Sequence, residues 1–267
     1  MIHNIIKDKS TKLFIFLGGF FIANAFIAEV IGVKIFSLEK TIGITPFQIP
    51  LFGNVFSFNL TAGVLLWPVV FIMTDIINEY YGERGVRFLS YLTVTLLAYA
   101  FAMYYLAIHL VPADWWPGSK TAQGVNDMQS AYAQVFGQGI AIILGSLIAF
   151  LVGQVVDVVI FHKIKKWSGE KYIWLRSTGS TVVSQFIDSF VVLFFAFYLY
   201  PAYISDANGK AWAFSLVMSI CIGNYIYKFL MAVVLTPVIY WVHHLIEGFL
   251  GHELATQMKK AALKDEV

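Results

Sequence analysis

The stretch "WLRSTGSTVVSQFIDSFVVLFFAF", residues 174–197, has a polar first half and an almost wholly apolar second half. A helix that only anchored a protein in lipid would carry leucine and phenylalanine throughout. Here Thr181, Ser184, Gln185 and Asp188 stand at positions i, i+3, i+4 and i+7, which lie on one side of a helix. The stretch therefore predicts a membrane helix with a polar stripe that faces a polar interior.

The composition of the whole chain is that of a protein with several membrane spans. Of 267 residues, 59% are hydrophobic and 13% are charged, whereas a soluble domain carries about 25% charged residues. The formal net charge of +2 is too small to indicate a nucleic-acid partner. The single cysteine, Cys221, excludes an internal disulfide and a thiolate metal site.

Six segments are long and apolar enough to cross the hydrocarbon core, which takes about 20 residues. They are residues 13–36, 58–77, 88–111, 135–161, 182–200 and 213–242. We therefore expect an all-α membrane protein with six transmembrane helices in one bundle, formed by residues 1–245. The first apolar run continues well past Ala25, so we expect a membrane span there rather than a cleaved signal peptide. Residues 246–267 indicate a cytoplasmic interfacial helix and tail.

The lysines and arginines predict the orientation of the bundle. Outside the six segments, all of them except Lys40, Lys120 and Lys210 fall on the same side as the N-terminus. Cytoplasmic loops carry an excess of these residues. We therefore expect the N- and C-termini to be cytoplasmic.

Further polar side chains occur inside the other predicted spans. They are Asn24 in the first span, Asp75, Asn78 and Glu79 in the second, Gln154 and Asp157 in the fourth, and Asn224 and Lys228 in the sixth. A single charge at the bilayer centre costs at least about 2.5 kcal/mol, so repeated polar stripes predict a shared, partly wet interior. Structural alternatives stay open: a solvated helix end at Glu79, hydrogen bonds that only join helices, or a structural Asp188–Lys228 ion pair.

Small residues and prolines suggest how the helices pack. Gly145, Ala149 and Gly153 follow one another at intervals of four and allow close helix approach, either within one protomer or between two protomers of a homodimer. Pro68 and Pro237 interrupt the second and sixth predicted spans and free backbone carbonyls. Each proline could equally set only a kink.

The polar groups suit a ligand rich in N–H donors, a cation, or a proton that is passed along. The histidines lie at or beyond the span ends, which argues against a histidine metal site and against a Ser-His protease. The chain contains no GxxxxGK[ST] phosphate loop, so we expect no ATP hydrolysis by this chain. We expect no enzyme activity, no cofactor and no bound metal.

Three motifs together resemble the queuosine precursor transporter family, also called the vitamin uptake transporter family. They are "WPVVFIMTDIINEYYGERGVR" (67–87), "LRSTGSTVVSQFIDSFV" (175–191) and "GNYIYKFLMAVVLTPVIY" (223–240), and the resemblance extends over roughly residues 13–245. It implies six helices similar to the substrate-binding components of energy-coupling-factor transporters, but without an ATPase module. It also implies import of 7-cyano-7-deazaguanine or its aminomethyl relative through a bacterial inner membrane, for queuosine in tRNA.

The resemblance also implies roles for the polar residues. Asp188 or Asp75 would accept hydrogen bonds from the amine edge of the base, and Gln185, Asn224 or Lys228 would donate to its carbonyl oxygen. The other expected binding residues are Ser184, Asn78, Glu79, Asn24 and Trp67, where Trp67 would stack on the flat ring.

Asp157, Gln154 and Glu79 are expected as a proton relay or as a second layer behind the binding residues. The open alternatives are a transporter or capture subunit for another purine or vitamin, and an ion or proton channel. The preferred base and proton coupling also stay open.

Overall fold

The computed structural model describes residues 8–51, 54–137, 140–168, 172–195, 198–199 and 213–264. The α-helices within these ranges are α1 (Lys9–Ile31), α2 (Leu38–Thr41), α3 (Trp67–Ile108), α4 (Met128–Phe136), α5 (Ile140–Ser168), α6 (Ile173–Phe194), α7 (Phe214–Val234), α8 (Thr236–Leu250) and α9 (His252–Lys264). Two small antiparallel ribbons pair β1 (Ile35–Ser37) with β4 (Asn59–Thr61) and β2 (Ile49–Leu51) with β3 (Asn54–Phe56). The architecture confirms the predicted class of an α-helical membrane protein, and the ribbons are confined to one loop.

Four of the described helices are long and apolar enough to cross a membrane. They are α1, α3, residues 145–168 of α5, and α7. The helix that carries the polar stripe, α6, is not among these four. The six crossings and the orientation of the termini therefore stay predictions.

The long helix α3 consists of two segments that meet at Gly82. This residue has φ 69° and ψ −173°, a conformation that is essentially restricted to glycine. Residues 67–81 and residues 83–108 therefore correspond to two separate apolar stretches, as the sequence predicts. The glycine lies between two predicted spans, where the chain has to reverse.

Contacts with α1 show that the two segments of α3 run in opposite directions. Phe14, near the start of α1, packs against the rings of Tyr81 and Phe88, with centroid distances of 4.9 and 6.5 Å. Near the end of α1, Phe26 packs against Tyr104 at 6.5 Å, and Gly63, just before α3, packs against the backbone of Ala28. The end of α1 thus lies beside residues that precede the first segment and residues late in the second.

Two prolines begin helices. Pro68 lies in the first turn of α3, where its missing N–H removes no helical hydrogen bond. The prediction that Pro68 interrupts a span is therefore wrong, because β4 and a 3-10 turn over Ala62–Leu65 precede it. Pro237 lies in the first turn of α8, and the break between α7 and α8 falls at Leu235, inside the predicted sixth span.

The small residues of α5 bring this helix close to α6. A side-chain carbon added at Gly145 would lie 3.2 Å from the ring of Phe195, and one added at Gly153 would lie 3.6 Å from Cβ of Asp188. Ala149 is fully buried between them. The predicted close-packing face is therefore used within one chain, and it lends no support to a homodimer.

The C-terminal helix α9 packs on the end of the bundle where the chain begins. Tyr81 donates a 2.7 Å hydrogen bond to the carbonyl of Ser10, and Gly82 lies directly against the backbone of Ala262. Lys259 of α9 forms a 2.5 Å ion pair with Glu247 of α8, and this hydrogen-bonded ammonium lowers the pKa of Glu247. The start of α1, the reversal at Gly82 and α9 thus share one end of the molecule.

Candidate substrate cavity

A cavity lies between the first segment of α3 and helices α6, α7 and α8. It contains about 370 Å³ of space, part of which is open to the surroundings. Small-molecule sites combine mostly apolar walls with a few polar groups. The polar groups on this cavity wall are Asp75, Ser177, Thr178, Thr181, Gln185 and Lys228.

Helical spacing explains why these side chains converge. Ser177, Thr181 and Gln185 follow one another at intervals of four on α6, so they form one row along the cavity. Lys228 of α7 lies on the wall together with Ala232, one turn further on. The apolar part of the wall comes from α3 and α8, including Phe71 and Ile239.

An ion pair joins α6 to α7 at the cavity wall. The Lys228 ammonium donates to the carboxylate of Asp188, and the two side chains are 9% and 14% exposed. A charge buried in this way needs a partner, since leaving one alone in an apolar interior is far more costly. The pair therefore fixes the position of a cation at the edge of the cavity.

Gln185 is a buried polar side chain on the cavity wall without a hydrogen-bond partner among the described residues. It is 2% exposed, and neither its amide nitrogen nor its amide oxygen has a hydrogen-bond partner among the described residues. An unsatisfied buried polar group costs about 1–3 kcal/mol. A ligand in the cavity could satisfy the group, because the amide both donates and accepts hydrogen bonds.

Asp75 contributes a carboxylate from α3 to the same cavity. Its side chain is 2% exposed and accepts a hydrogen bond from the hydroxyl of Ser177. The sequence reasoning named Asp75 but missed Ser177 and Thr178. Ser177 lies four residues before Thr181, in the same row as Thr181 and Gln185. This spacing could have predicted Ser177 from the sequence.

Several predicted residues form a polar layer between α3, α5 and α6 rather than lining the cavity. Ser184 donates a 3.0 Å hydrogen bond to Asp157, and Gln154 accepts a 3.1 Å hydrogen bond from Thr74. Glu79 forms a 3.1 Å ion pair with Lys165, and both side chains are almost fully buried. These groups therefore join α3, α5 and α6 to one another and are not part of the cavity wall.

Four other predicted residues also lie outside the cavity wall. Asn24 and Asn224 donate to carbonyls one turn back in their own helices, at 2.8 and 3.0 Å. Asn78 is fully buried, and its amide has no partner among the described residues. Trp67 packs against the rings of Phe71 and Phe150, at 6.4 and 5.8 Å.

Within the described part of the chain, no group of three or more His, Cys, Asp or Glu side chains could hold a metal ion. What the described residues do form is a cavity with one carboxylate, one amide, one ammonium and three hydroxyls between apolar helices. This arrangement is that of a multi-pass membrane protein with a candidate site for a small polar molecule.

The chain belongs to the queuosine precursor transporter family, as the sequence motifs predict. A family model described as "Putative vitamin uptake transporter" matches residues 61–242, a stretch that contains every residue of the cavity wall. The family membership is thus shown for the part of the chain that forms the site.

Three proteins with names of this family are similar to the chain. One is the "Probable queuosine precursor transporter" of Bacillus subtilis (strain 168), 30% identical over 190 residues, which cover 70% of this chain and 73% of that protein. The "Queuosine precursor transporter" of Escherichia coli (strain K12) is 25% identical over 192 residues, with coverage of 70% and 73%. The "Probable queuosine precursor transporter" of Haemophilus influenzae (strain ATCC 51907 / DSM 11121 / KW20 / Rd) is 27% identical over 159 residues, with coverage of 57% and 61%. No solved structure matches the chain at a significant level.

Proposed function

We propose that this protein imports a queuosine precursor, 7-cyano-7-deazaguanine or its aminomethyl relative, across the bacterial inner membrane. The family membership and the names of three relatives support a transporter of queuosine precursors. The observation that carries the assignment to the cavity is the buried, unpaired amide of Gln185 on its wall.

The chemistry of the cavity fits the edge of a deazaguanine. The base presents N1–H and an exocyclic amine, which need an acceptor, and a carbonyl oxygen, which needs a donor. Asp75 supplies a carboxylate, Lys228 supplies an ammonium, and Gln185 supplies both kinds of group. In this proposal the carboxylate takes the amine edge, and Gln185 or Lys228 donates to the oxygen.

The apolar wall of the cavity suits the flat ring of the base. Phe71 and Pro68 of α3 and Ile239 of α8 are among its apolar residues. Phe71 replaces Trp67 as the aromatic side chain proposed to cover the ring, since Trp67 lies outside the wall and packs on Phe150. Apolar walls also exclude water, which strengthens the hydrogen bonds made inside.

We also propose six membrane crossings with both termini in the cytoplasm, and transport without an ATPase module of this chain. Because its two segments run in opposite directions, α3 would cross the membrane twice, although it counts as one of the four long apolar helices. The location of the N-terminus and α9 at one end of the molecule supports an even number of crossings.

Complementation tests the proposed transport. The chain is expressed in a bacterium that lacks both queuosine synthesis and its own importer, the base is supplied, and queuosine in tRNA is measured. The wild-type chain should restore the modification. Absence of modification despite good expression in the membrane would contradict the proposed substrate.

Gln185→Ala tests the proposed site in the same strain. Loss of a hydrogen-bond partner inside the cavity costs about 1–3 kcal/mol, so half-maximal modification should need about tenfold to hundredfold more base. The matched control is Val183→Ala on the same helix, because Val183 is 42% exposed and does not line the cavity. Equal base requirements for Gln185→Ala and wild type would refute the assignment to this cavity.

Reconstitution of the purified chain in liposomes separates the alternatives. Saturable uptake of the base by the chain alone supports the proposed transporter. Binding of the base without uptake would indicate a capture subunit that needs a partner. Electrical conductance that does not saturate with solute would indicate a channel.

A further inference from the structure

Asp157 lies on α5 at the contact with α6, and its side chain is fully buried. Its Oδ1 atom accepts a 3.0 Å hydrogen bond from the hydroxyl of Ser184. Its Oδ2 atom has no hydrogen-bond partner among the described residues. The hydrogen-bond partner of the carboxyl group is therefore a serine hydroxyl and not a cation.

Two other buried carboxylates in this region have cations. Glu79 of α3 pairs with Lys165, and Asp188 of α6 pairs with Lys228. Other buried titratable groups on the elements packed around Asp157 are Asp75 of α3, which accepts from Ser177, Glu29 of α1, which accepts from Ser146, and His162, five residues further along α5. None of the described ion pairs includes Asp157.

This setting favours the neutral form of the Asp157 carboxyl group. An ionised carboxylate that is buried without a cation costs several kcal/mol, whereas a protonated carboxyl needs only ordinary hydrogen bonds. The protonated group can also donate a hydrogen bond, which an ionised carboxylate cannot. The arrangement in the structure thus suits a carboxyl group that carries a proton.

Helix α6 connects Asp157 to the cavity. Ser184 on one side of α6 contacts Asp157, while Gln185, the residue that follows it, lies on the cavity wall. A side-chain carbon at Gly153 of α5 would be in van der Waals contact with Asp188 and Ser184 of α6, so the two helices pack directly on each other here. A change in the charge of Asp157 therefore acts on α6, the helix that places Ser177, Thr181 and Gln185 on the cavity wall.

We propose that Asp157 carries the proton that couples import of the base to proton entry. This proposal rests on the proposed function. The carboxyl group takes one proton while the cavity is open to the outside, and the neutral group permits α6 to pack on α5 with the base bound. When the cavity opens to the cytoplasm, the base leaves and the proton is released there. One proton and one base enter in each cycle, and no bond of the base changes.

Proteoliposomes that contain the full chain test the coupling with 7-cyano-7-deazaguanine, an uncharged base. With a gradient of one pH unit, acid outside, wild type should accumulate the base up to about tenfold, because one pH unit corresponds to a tenfold ratio. Vesicles loaded with a pH-sensitive dye should acidify when the base is added outside. Asp157→Asn should still exchange labelled for unlabelled base, but its steady-state accumulation ratio should stay near one.

The controls keep the two proposals separate. Asp114→Asn, at an exposed position in a loop, should accumulate the base as wild type does. If Asp157→Asn does not fold, Asp157→Ser removes the carboxyl group with a smaller side chain, and Asp157→Glu should retain accumulation. Wild type that exchanges no base would refute the proposed function itself. Wild type that exchanges base without a response to the gradient, or a neutral variant that still accumulates it, would overturn the role of Asp157.

Discussion

At the scale of single residues, Lys228 both forms an ion pair and lines the cavity. Its ammonium neutralises Asp188, and its side chain also forms part of the cavity wall. A substrate that approaches Lys228 therefore meets a cation whose charge is already balanced. Such a cation can donate a hydrogen bond to a neutral carbonyl oxygen without adding net charge to the apolar interior.

The ion pair gives a prediction that separates stability from transport. Lys228→Met and Asp188→Asn should each lower the free energy of unfolding, on the order of 3 kcal/mol, because each leaves one charge or polar group without its partner. The double variant should recover most of this loss, since no unpaired charge remains. Thermal unfolding in detergent, followed by tryptophan fluorescence, measures the effect.

Transport distinguishes this pair from a structural salt bridge. The double variant should fold but import the base poorly, because the cavity has lost its ammonium. Phe229→Leu is the control, because Phe229 follows Lys228 on α7 but is 41% exposed outside the cavity. Full import by the double variant would show that the pair only joins α6 to α7.

The polar stripe of α6 shows how much of the site can be predicted from the sequence at the scale of single residues. Its spacing places Thr181, Ser184, Gln185 and Asp188 on one side of the helix, and the structure buries or half-buries all four. Ser184 and Gln185 nevertheless diverge by about 100° around the axis. One of them therefore faces Asp157 on α5 and the other faces the cavity. Spacing fixes angles within a helix, but the neighbours that fill those angles come from tertiary packing.

At the scale of elements, Gly82 separates α3 into two antiparallel helical segments. The first segment carries Asp75 to the cavity, and the second packs on α1. A side chain at Gly82 would meet the backbone of Ala262 at 3.1 Å and would also adopt a positive φ. The reversal thus depends on both the conformation of the residue and the space beside it.

Gly82→Ala should therefore destabilise the protein. A non-glycine residue in this conformation costs about 1–3 kcal/mol, before any displacement of α9. Gly248→Ala in α8 is the matched control, because it meets no atom within 4 Å and has no positive φ. A more helix-favouring residue there should leave the stability equal or slightly higher. Equal melting temperatures for Gly82→Ala and wild type would contradict the role of the reversal.

The sequence predicts some elements better than others for a physical reason. Apolar length identifies α1 and α5, because the thickness of the bilayer fixes how many apolar residues a span needs. The ribbon over 35–61 was not predicted, because its strands have three residues each and no clear alternation. The start of α3 at Trp67 was also missed, since apolar residues 58–66 continue the span by composition but adopt a strand and a 3-10 turn.

At the scale of the whole molecule, the contacts divide the chain between two ends. Ser10, Gly82 and α9 share one end, and the ribbon over 35–61 lies at the end of α1 opposite Ser10. The lysines and arginines outside the spans concentrate at the end of Ser10. Since positively charged loops remain in the cytoplasm, we expect this end to face inward.

Labelling of single cysteines tests this orientation in intact cells. In a Cys221→Ser background, a membrane-impermeant maleimide should label Lys120→Cys from outside, because residue 120 is exposed in a loop at the outer end. Lys260→Cys, exposed on α9, should react only after the membrane is permeabilised. The wild-type chain serves as the control for background, since the fully buried Cys221 should not react.

The pattern of labelling also tests the number of crossings. From residue 120 to residue 260, three crossings by α5, α6 and the α7–α8 unit place the two positions on opposite sides of the membrane. If α7 and α8 instead formed a re-entrant pair, both positions would react from outside. Labelling of Lys260→Cys alone from outside would reverse the proposed orientation, and the proton released from Asp157 would then enter the wrong compartment for import.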